Sequence, residues 1–139
     1  MDTKYRFMAV GSLVVCGLVG MTLVTSTAWA DTSAAIMAKS DTDNDKTLDL
    51  NEVKTAASAK FDALEKDQDG TLDANEVKGL IGAKTFKKVD PDNDGKLDKN
   101  EYIALVEKLF KKADVDDDGT LDVKELGSKN AHLLRKLIQ

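Results

Sequence analysis

The sequence predicts a compact all-α bundle over residues 31–139, and three observations support this prediction. A twelve-residue acidic segment occurs four times, beginning at positions 41, 65, 90 and 114. Only 12 or 13 residues separate one segment from the next, which is room for one helix and not for two. Apolar residues recur at helical spacing within the separating stretches. A repeat of this kind indicates an architecture assembled from one structural unit used several times.

Residues 1–30 have the order of a secretory signal peptide. Lys4 and Arg6 precede a long uncharged run, which ends in a small-x-small site at Ala28 and Ala30. An uncleaved anchor is the alternative, because an uncharged run of about 20 residues can span a bilayer. We therefore expect a periplasmic or secreted protein, which contacts a membrane only if this segment is retained.

The composition of the remaining chain excludes several classes of function. Residues 31–139 carry 24 acidic and 18 basic side chains, a net charge of −6, whereas a nucleic-acid partner requires a basic face. Cys16 lies in the N-terminal segment, so residues 31–139 contain neither a thiolate ligand nor a disulfide. With His132 as the one histidine and no nucleophile placed beside a base, we expect no enzymatic activity.

The repeated acidic segments match a known metal-binding pattern. Both "DPDNDGKLDKNE" and "DVDDDGTLDVKE" read D-x-D-x-D-G-x5-E, the pattern of the EF-hand calcium loop. Positions 1, 3 and 5 supply carboxylates, position 7 a backbone carbonyl, and the glutamate at position 12 both of its oxygens. Position 6 requires a positive φ, which favours glycine. The leucine at position 8 of every copy is expected to form the short strand contact between paired loops.

We number the segments loop 1 (residues 41–52), loop 2 (65–76), loop 3 (90–101) and loop 4 (114–125). The candidate ligands occupy positions 1, 3, 5, 7, 9 and 12 of each loop, and they include 20 of the 24 acidic side chains of residues 31–139. They are Asp41, Asp43, Asp45, Thr47, Asp49 and Glu52; Glu65, Asp67, Asp69, Thr71, Asp73 and Glu76; Asp90, Asp92, Asp94, Lys96, Asp98 and Glu101; and Asp114, Asp116, Asp118, Thr120, Asp122 and Glu125.

Loops 1 and 2 depart from the pattern at one position each. Lys46 occupies position 6 of loop 1, where a left-handed conformation costs a non-glycine residue about 1 kcal/mol or more. Glu65 occupies position 1 of loop 2, and its additional methylene displaces the carboxylate. We expect both loops to bind metal more weakly than loops 3 and 4, and the alternative for each is a pseudo-loop that binds no metal.

The separating stretches predict how the loops pair. Continuous helices are expected after loops 1 and 3, and each would hold its two flanking loops roughly 18 Å apart. The middle stretch contains Gly79 and Gly82, which weaken a helix, so that a bend lets loops 2 and 3 meet and leaves loops 1 and 4 to pair. The expected apolar positions are Val53, Ala57, Phe61 and Leu64, then Tyr102, Leu105, Val106, Leu109 and Ala113, and, in a last helix after "GSKN", Leu133, Leu134, Leu137 and Ile138.

The residue at position 9 bears on which cation is bound. It is aspartate in every loop, whereas EF-hands often reach the ion there through water. A fifth carboxylate attracts a trivalent ion more strongly than a divalent ion, because Coulomb energy scales with the product of the charges. With so small a core, we also expect metal binding to supply folding free energy.

The short loop spacing, the aspartate at every position 9, "DPDNDGKLDKNEYIALVEKLF" and the repeated "GTLD" resemble lanmodulin, a family of small periplasmic proteins of methylotrophic bacteria. Its four EF-hands bind lanthanide ions selectively over calcium. The resemblance implies up to four bound ions and metal-induced folding, although Pro91 alone matches the proline typical of position 2. A calcium buffer and a calcium sensor are the alternatives. Sensors use methionine-rich grooves, and residues 31–139 retain only Met37.

Overall fold

The computed structural model describes residues 28–139, with side chains from residue 32 onward. Residues 1–27 of the predicted signal peptide, including Cys16, lie outside the described residues, and the last three positions of that segment begin the first helix. Within residues 28–139 no helix is long and apolar enough to cross a membrane. The elements are α1 (Ala28–Ser40), β1 (Leu48–Asp49), α2 (Leu50–Leu64), β2 (Thr71–Asp73), α3 (Ala83–Val89), β3 (Lys96–Asp98), α4 (Lys99–Ala113), β4 (Thr120–Leu121), α5 (Val123–Gly127) and α6 (His132–Ile138).

The described chain is mostly helical, and its short strands confirm the predicted loop pairing. β2 pairs antiparallel with β3, and β1 pairs antiparallel with β4. The leucines at position 8 lie opposite one another in each pair, Leu72 with Leu97 and Leu48 with Leu121. All four are fully buried, so each two-stranded sheet joins two loops and also contributes to the core.

The long helices α2 and α4 explain why loop 1 does not pair with loop 2, nor loop 3 with loop 4. Each is continuous over 15 residues, and the two helices pack against each other. The rings of Phe61 and Tyr102 meet edge to face at this contact, with centroids 5.5 Å apart. The predicted apolar positions of both helices are buried or pack against the core, and Phe110, which the sequence analysis did not include, is buried beside them.

The stretch between loops 2 and 3 is not one continuous helix, and the interruption lies at its glycines. Residues 74–80 form turns, and α3 begins only at Ala83 with Gly82 as its N-cap residue. Gly79 has a φ of +85°, a conformation that residues with a β-carbon rarely adopt. The chain can therefore reverse between loops 2 and 3, as their direct pairing requires.

The two ends of the described chain close the bundle. α1, an element that the sequence analysis did not predict, packs against α5, α2 and α6 and buries Ile36 and Met37. The Tyr102 hydroxyl donates to the Leu137 carbonyl at 2.9 Å, which ties α4 to α6. Arg135, buried on α6, donates to the Leu126 carbonyl at the end of α5. Ile36, Met37, Tyr102, Leu126 and Leu137 all belong to one hydrophobic core.

Candidate metal centres

Each acidic loop brings three carboxylates together at one point. The side chains at positions 1, 3 and 5 each offer one oxygen, and in every loop these three oxygens lie within 4.8 Å of one another. The four groups are Asp41, Asp43 and Asp45; Glu65, Asp67 and Asp69; Asp90, Asp92 and Asp94; and Asp114, Asp116 and Asp118. An oxygen-only donor set with this spacing fits a hard cation such as calcium.

The backbone of each loop turns sharply at position 6, and that turn fixes the carboxylate at position 1. φ is +84° at Gly70, +82° at Gly95 and +88° at Gly119. The N–H of each glycine donates to the carboxylate at position 1 of its own loop, at distances of 2.6 to 3.1 Å. The same bond reaches Glu65 in loop 2, so the longer side chain still occupies the place expected of an aspartate.

Loop 1 adopts the same turn with a residue unsuited to it. Lys46 has a φ of +72°, and its N–H donates to Asp41 Oδ2 at 3.0 Å. The steric strain predicted from the sequence is therefore present, at a cost of about 1 kcal/mol or more relative to glycine.

Replacing Lys46 with glycine is expected to tighten metal binding by loop 1, because the bound conformation no longer carries this strain. The strain alone corresponds to about a five- to tenfold change in dissociation constant. Lys46→Gln is the matched control, since it removes the charge and keeps the β-carbon. Calorimetric titration with Ca²⁺ measures both variants. Equal affinities for the glycine and glutamine variants would show that charge, and not backbone strain, weakens loop 1.

Positions 9 and 12 bond to each other in every loop. In loop 3, Asp98 Oδ1 accepts from the Glu101 N–H at 2.7 Å, and Glu101 Oε2 accepts from the Asp98 N–H at 2.9 Å. This reciprocal pair is a capping box, which satisfies backbone donors at the start of α4. Loops 1, 2 and 4 contain the same pair of bonds. The aspartate at position 9 thus has a structural role that the sequence analysis did not assign.

The glutamate at position 12 has a second anchor in three of the loops. Glu52, Glu76 and Glu125 each accept, through Oε1, a hydrogen bond from the N–H at position 2 of their own loop, at 2.5, 2.8 and 2.7 Å. Position 2 of loop 3 is Pro91, which has no N–H, so this bond cannot form there. The proline at position 2 therefore removes a donor that holds the closing glutamate in the other loops.

Loop 3 also shows the strongest structural indication of a bound cation. Asp90 is 5% exposed, and its Oδ1 is a buried oxygen for which residues 28–139 provide no hydrogen-bond donor. A buried carboxylate oxygen without a partner costs about 1–3 kcal/mol or more. A cation bound among Asp90, Asp92 and Asp94 would satisfy it.

The carboxylate at position 5 is held by position 7, and loop 2 departs from the other loops here. In every loop Oδ1 at position 5 accepts from the N–H at position 7, at 2.8 Å. In loop 2, Asp69 Oδ2 also contacts the Lys96 ammonium of loop 3. The bonds from Lys96 and then Thr71 lower the pKa of Asp69 to about 2. Where no such cation is close, partial desolvation and the neighbouring carboxylates Asp118 and Glu125 raise the pKa of Asp116.

The structure thus groups the predicted ligands at positions 1, 3 and 5 and joins those at positions 9 and 12 in capping boxes. Sequence reasoning missed four features: the capping role of position 9, the N–H at position 2, the reach of the Lys96 side chain, and the backbone conformation at position 4. Position 4 has a positive φ in every loop, at Asn44, Gln68, Asn93 and Asp117. Asparagine at two of these positions was a usable signal, because asparagine tolerates the left-handed region.

Comparison with known families supports the EF-hand interpretation. The family model described as EF hand matches residues 81–106 and 105–128, which contain loops 3 and 4. No curated protein matches the chain. The EF-hand family is metal-binding and non-catalytic, which is compatible with the expectation that this protein is not an enzyme. The chain is similar to EF-hand proteins over these two segments, and together with the acidic clusters this similarity suggests that it binds calcium or a related metal ion.

Proposed function

We propose that this protein is a periplasmic EF-hand metal-ion-binding protein that binds up to four ions, one in each loop, and that it takes lanthanide(III) ions in preference to calcium. The observation that carries the proposal is the convergence of three carboxylates within 4.8 Å in each of the four loops. Loops 1 and 2 lie outside the segments that match the EF-hand family, but they repeat the carboxylate geometry of loops 3 and 4.

The donor chemistry supports a hard cation and disfavours a soft metal. Every side-chain ligand proposed is a carboxylate, and the carbonyl at position 7 adds one further oxygen. Calcium is bound in this way, by six to eight oxygens at about 2.3–2.6 Å. Zinc and copper favour imidazole and thiolate ligands, which the four loops do not contain.

The preference for trivalent ions is supported by charge and by the resemblance to lanmodulin. Each loop carries five carboxylates at positions 1, 3, 5, 9 and 12, and this ligand set has a formal charge of −5, of which a calcium ion neutralises only two. A trivalent ion neutralises more of this charge than a divalent ion does. Export to the periplasm is supported by the order of residues 1–30.

A periplasmic calcium buffer is the second candidate, and the capping boxes favour it. Because Asp49, Asp98 and Asp122 are the N-cap residues of α2, α4 and α5, aspartate at position 9 has an explanation that requires no trivalent ion. The calcium-sensor alternative has less support, since Met37 is buried, at 6% exposure, and not displayed in a groove.

Isothermal titration calorimetry with La³⁺ and with Ca²⁺, each under chelator-buffered control of the free ion, tests the proposal. We expect several ions per chain and a La³⁺ affinity that exceeds the Ca²⁺ affinity by orders of magnitude, because all five carboxylates of a loop act on the additional charge. Similar micromolar affinities for both ions would favour the calcium buffer. Binding of neither ion would refute metal binding by these loops.

A further inference from the structure

One position-7 side chain differs from the other three in both chemistry and direction. Position 7 is threonine in loops 1, 2 and 4, and each hydroxyl donates to Oδ1 of the position-5 aspartate in its own loop, at 2.6 to 2.8 Å. In loop 3 it is Lys96. Its ammonium reaches across the strand pair to Asp69 Oδ2 of loop 2.

The strand register places Lys96 for this contact. β3 pairs with β2 such that Lys96 lies opposite Asp73, at position 9 of loop 2. From there the side chain extends to Asp69, and the charges of Asp67 and Asp94 also act on its ammonium. Lys96 therefore lies between the carboxylates of two loops, and its backbone carbonyl is the proposed position-7 ligand of loop 3.

The oxygen that Lys96 contacts is the position-5 oxygen that loops 1, 3 and 4 leave without a hydrogen-bond donor among the described residues. In every loop the position-5 aspartate commits Oδ1 to the N–H at position 7. For Asp45, Asp94 and Asp118, no donor within residues 28–139 bonds to Oδ2. In loop 2 both oxygens of Asp69 have partners, Thr71 on Oδ1 and Lys96 on Oδ2.

We propose that Lys96 is a tethered cation that competes with the metal ion for Asp69 and so makes loop 2 fill after its partner, loop 3. This inference rests on the proposed metal-binding function and names a residue that determines affinity. An ion entering loop 2 must displace the ammonium from Asp69 Oδ2, and it is also repelled by the nearby positive charge. Because that repulsion scales with the charge of the ion, it weakens binding of a trivalent ion more than binding of a divalent ion.

The backbone amide at position 6 of each loop can report ion binding in that loop. The amides of Gly70, Gly95 and Gly119 donate to the position-1 carboxylates of loops 2, 3 and 4, and the Lys46 amide does so in loop 1. Ion binding at these carboxylates changes the ¹H and ¹⁵N chemical shifts of the amide in the same loop. ¹H–¹⁵N spectra recorded during a chelator-buffered Ca²⁺ titration of the protein therefore give one midpoint for each loop.

Lys96→Met is expected to lower the free Ca²⁺ concentration at the Gly70 midpoint by about tenfold. The ion then no longer has to displace the ammonium from Asp69, and the repulsion between the ammonium and the ion is also removed. The Gly95 midpoint should change less than the Gly70 midpoint, because Lys96 contacts Asp69 directly and acts on Asp94 of loop 3 only through its charge. The Gly119 midpoint should change by no more than about twofold, since more distant exposed charges are screened. Lys99→Met is the matched control. It removes a lysine of equal exposure whose partner, Asp62 at 2.8 Å, lies outside the loops.

A lysine introduced at position 7 of loop 4 tests whether the strand register alone is sufficient for a lysine to compete with the ion of the paired loop. Thr120, at position 7 of loop 4, lies opposite Asp49 of loop 1 just as Lys96 lies opposite Asp73. Thr120→Lys is therefore expected to bring an ammonium to Asp45 and to raise the Ca²⁺ midpoint of the Lys46 amide by about tenfold. Thr120→Met controls for the loss of the threonine hydroxyl.

The outcomes separate this inference from the proposed function. If Gly95 and Gly119 respond to Ca²⁺ but Lys96→Met leaves the Gly70 midpoint unchanged, Lys96 does not compete and the inference is overturned. An equal change in all loops would also overturn it, because it would indicate a general charge effect. If no loop amide responds to Ca²⁺ or La³⁺ in the unaltered protein, the proposed function itself fails.

Discussion

Removing the bound metal ions with excess chelator is expected to abolish most of the helical far-UV circular dichroism of the protein. Each loop holds three carboxylate oxygens within 4.8 Å of one another. Two unit charges at that distance repel by about 1 kcal/mol in water, and by more where solvent is partly excluded. A bound cation attracts all three carboxylates and outweighs their mutual repulsion, so the free energy of metal binding becomes free energy of folding.

The core cannot compensate for this loss, because part of it belongs to the loops. Leu48, Leu72, Leu97 and Leu121 are fully buried, and each lies at position 8 of an acidic loop. They join the loops in pairs and pack in the single core that also contains Phe61 and Tyr102. Repulsion that opens a loop therefore also withdraws a leucine from the core, which costs about 2 kcal/mol for each side chain.

Two variants test this explanation by circular dichroism. Replacing the position-12 glutamates Glu52, Glu76, Glu101 and Glu125 with glutamine should prevent metal from restoring the helical signal, because a closing ligand is neutralised in every loop. Glu107→Gln is the control, since Glu107 pairs with Lys54 at 2.5 Å outside the loops, and it should respond as the unaltered protein does. Helical signal that persists in chelator would show that the apolar core alone maintains the fold.

Replacing the aspartate at position 9 with asparagine in all four loops is expected to reduce the preference for La³⁺ over Ca²⁺ by about tenfold or more per loop. The substituted residues are Asp49, Asp73, Asp98 and Asp122. Each substitution removes one negative charge beside the ion, and that loss costs a trivalent ion more than a divalent ion. Competitive titration of the two ions against one chelator measures the ratio directly.

An alanine variant of the same four positions distinguishes the effect of the lost charge from the effect of the lost helix cap. Asparagine is as good an N-cap residue as aspartate, whereas alanine loses the cap and costs about 1 kcal/mol per helix. The asparagine variant should therefore keep its thermal stability when loaded with metal, and the alanine variant should not. An unchanged La³⁺ to Ca²⁺ ratio in the asparagine variant would leave capping as the role of position 9 and would favour a calcium buffer.

Much of the fold could be predicted because the repeat constrains it. Separations of 12 or 13 residues exclude two helices between loops, and Gly79 and Gly82 mark where the chain can bend. The pairing of loop 2 with loop 3, and of loop 1 with loop 4, follows from helix length and glycine position, and the strands confirm it. α1 was not predicted, because residues 28–40 contain no loop motif and show only weak helical amphipathicity.

The sequence by itself determined which residues are candidate ligands, since the carboxylate spacing of the loops and the glycine at position 6 are local properties of a twelve-residue segment. Only the tertiary structure decided how those ligands differ from loop to loop. The burial of Asp90 Oδ1 and the contact of Lys96 with Asp69 depend on the segments that pack around a loop. Lys96 and Asp69 are 27 residues apart in the chain and meet only because β2 pairs with β3. Ligand identity is thus a local property of the sequence, whereas the electrostatic environment of each ligand depends on distant segments that folding brings together.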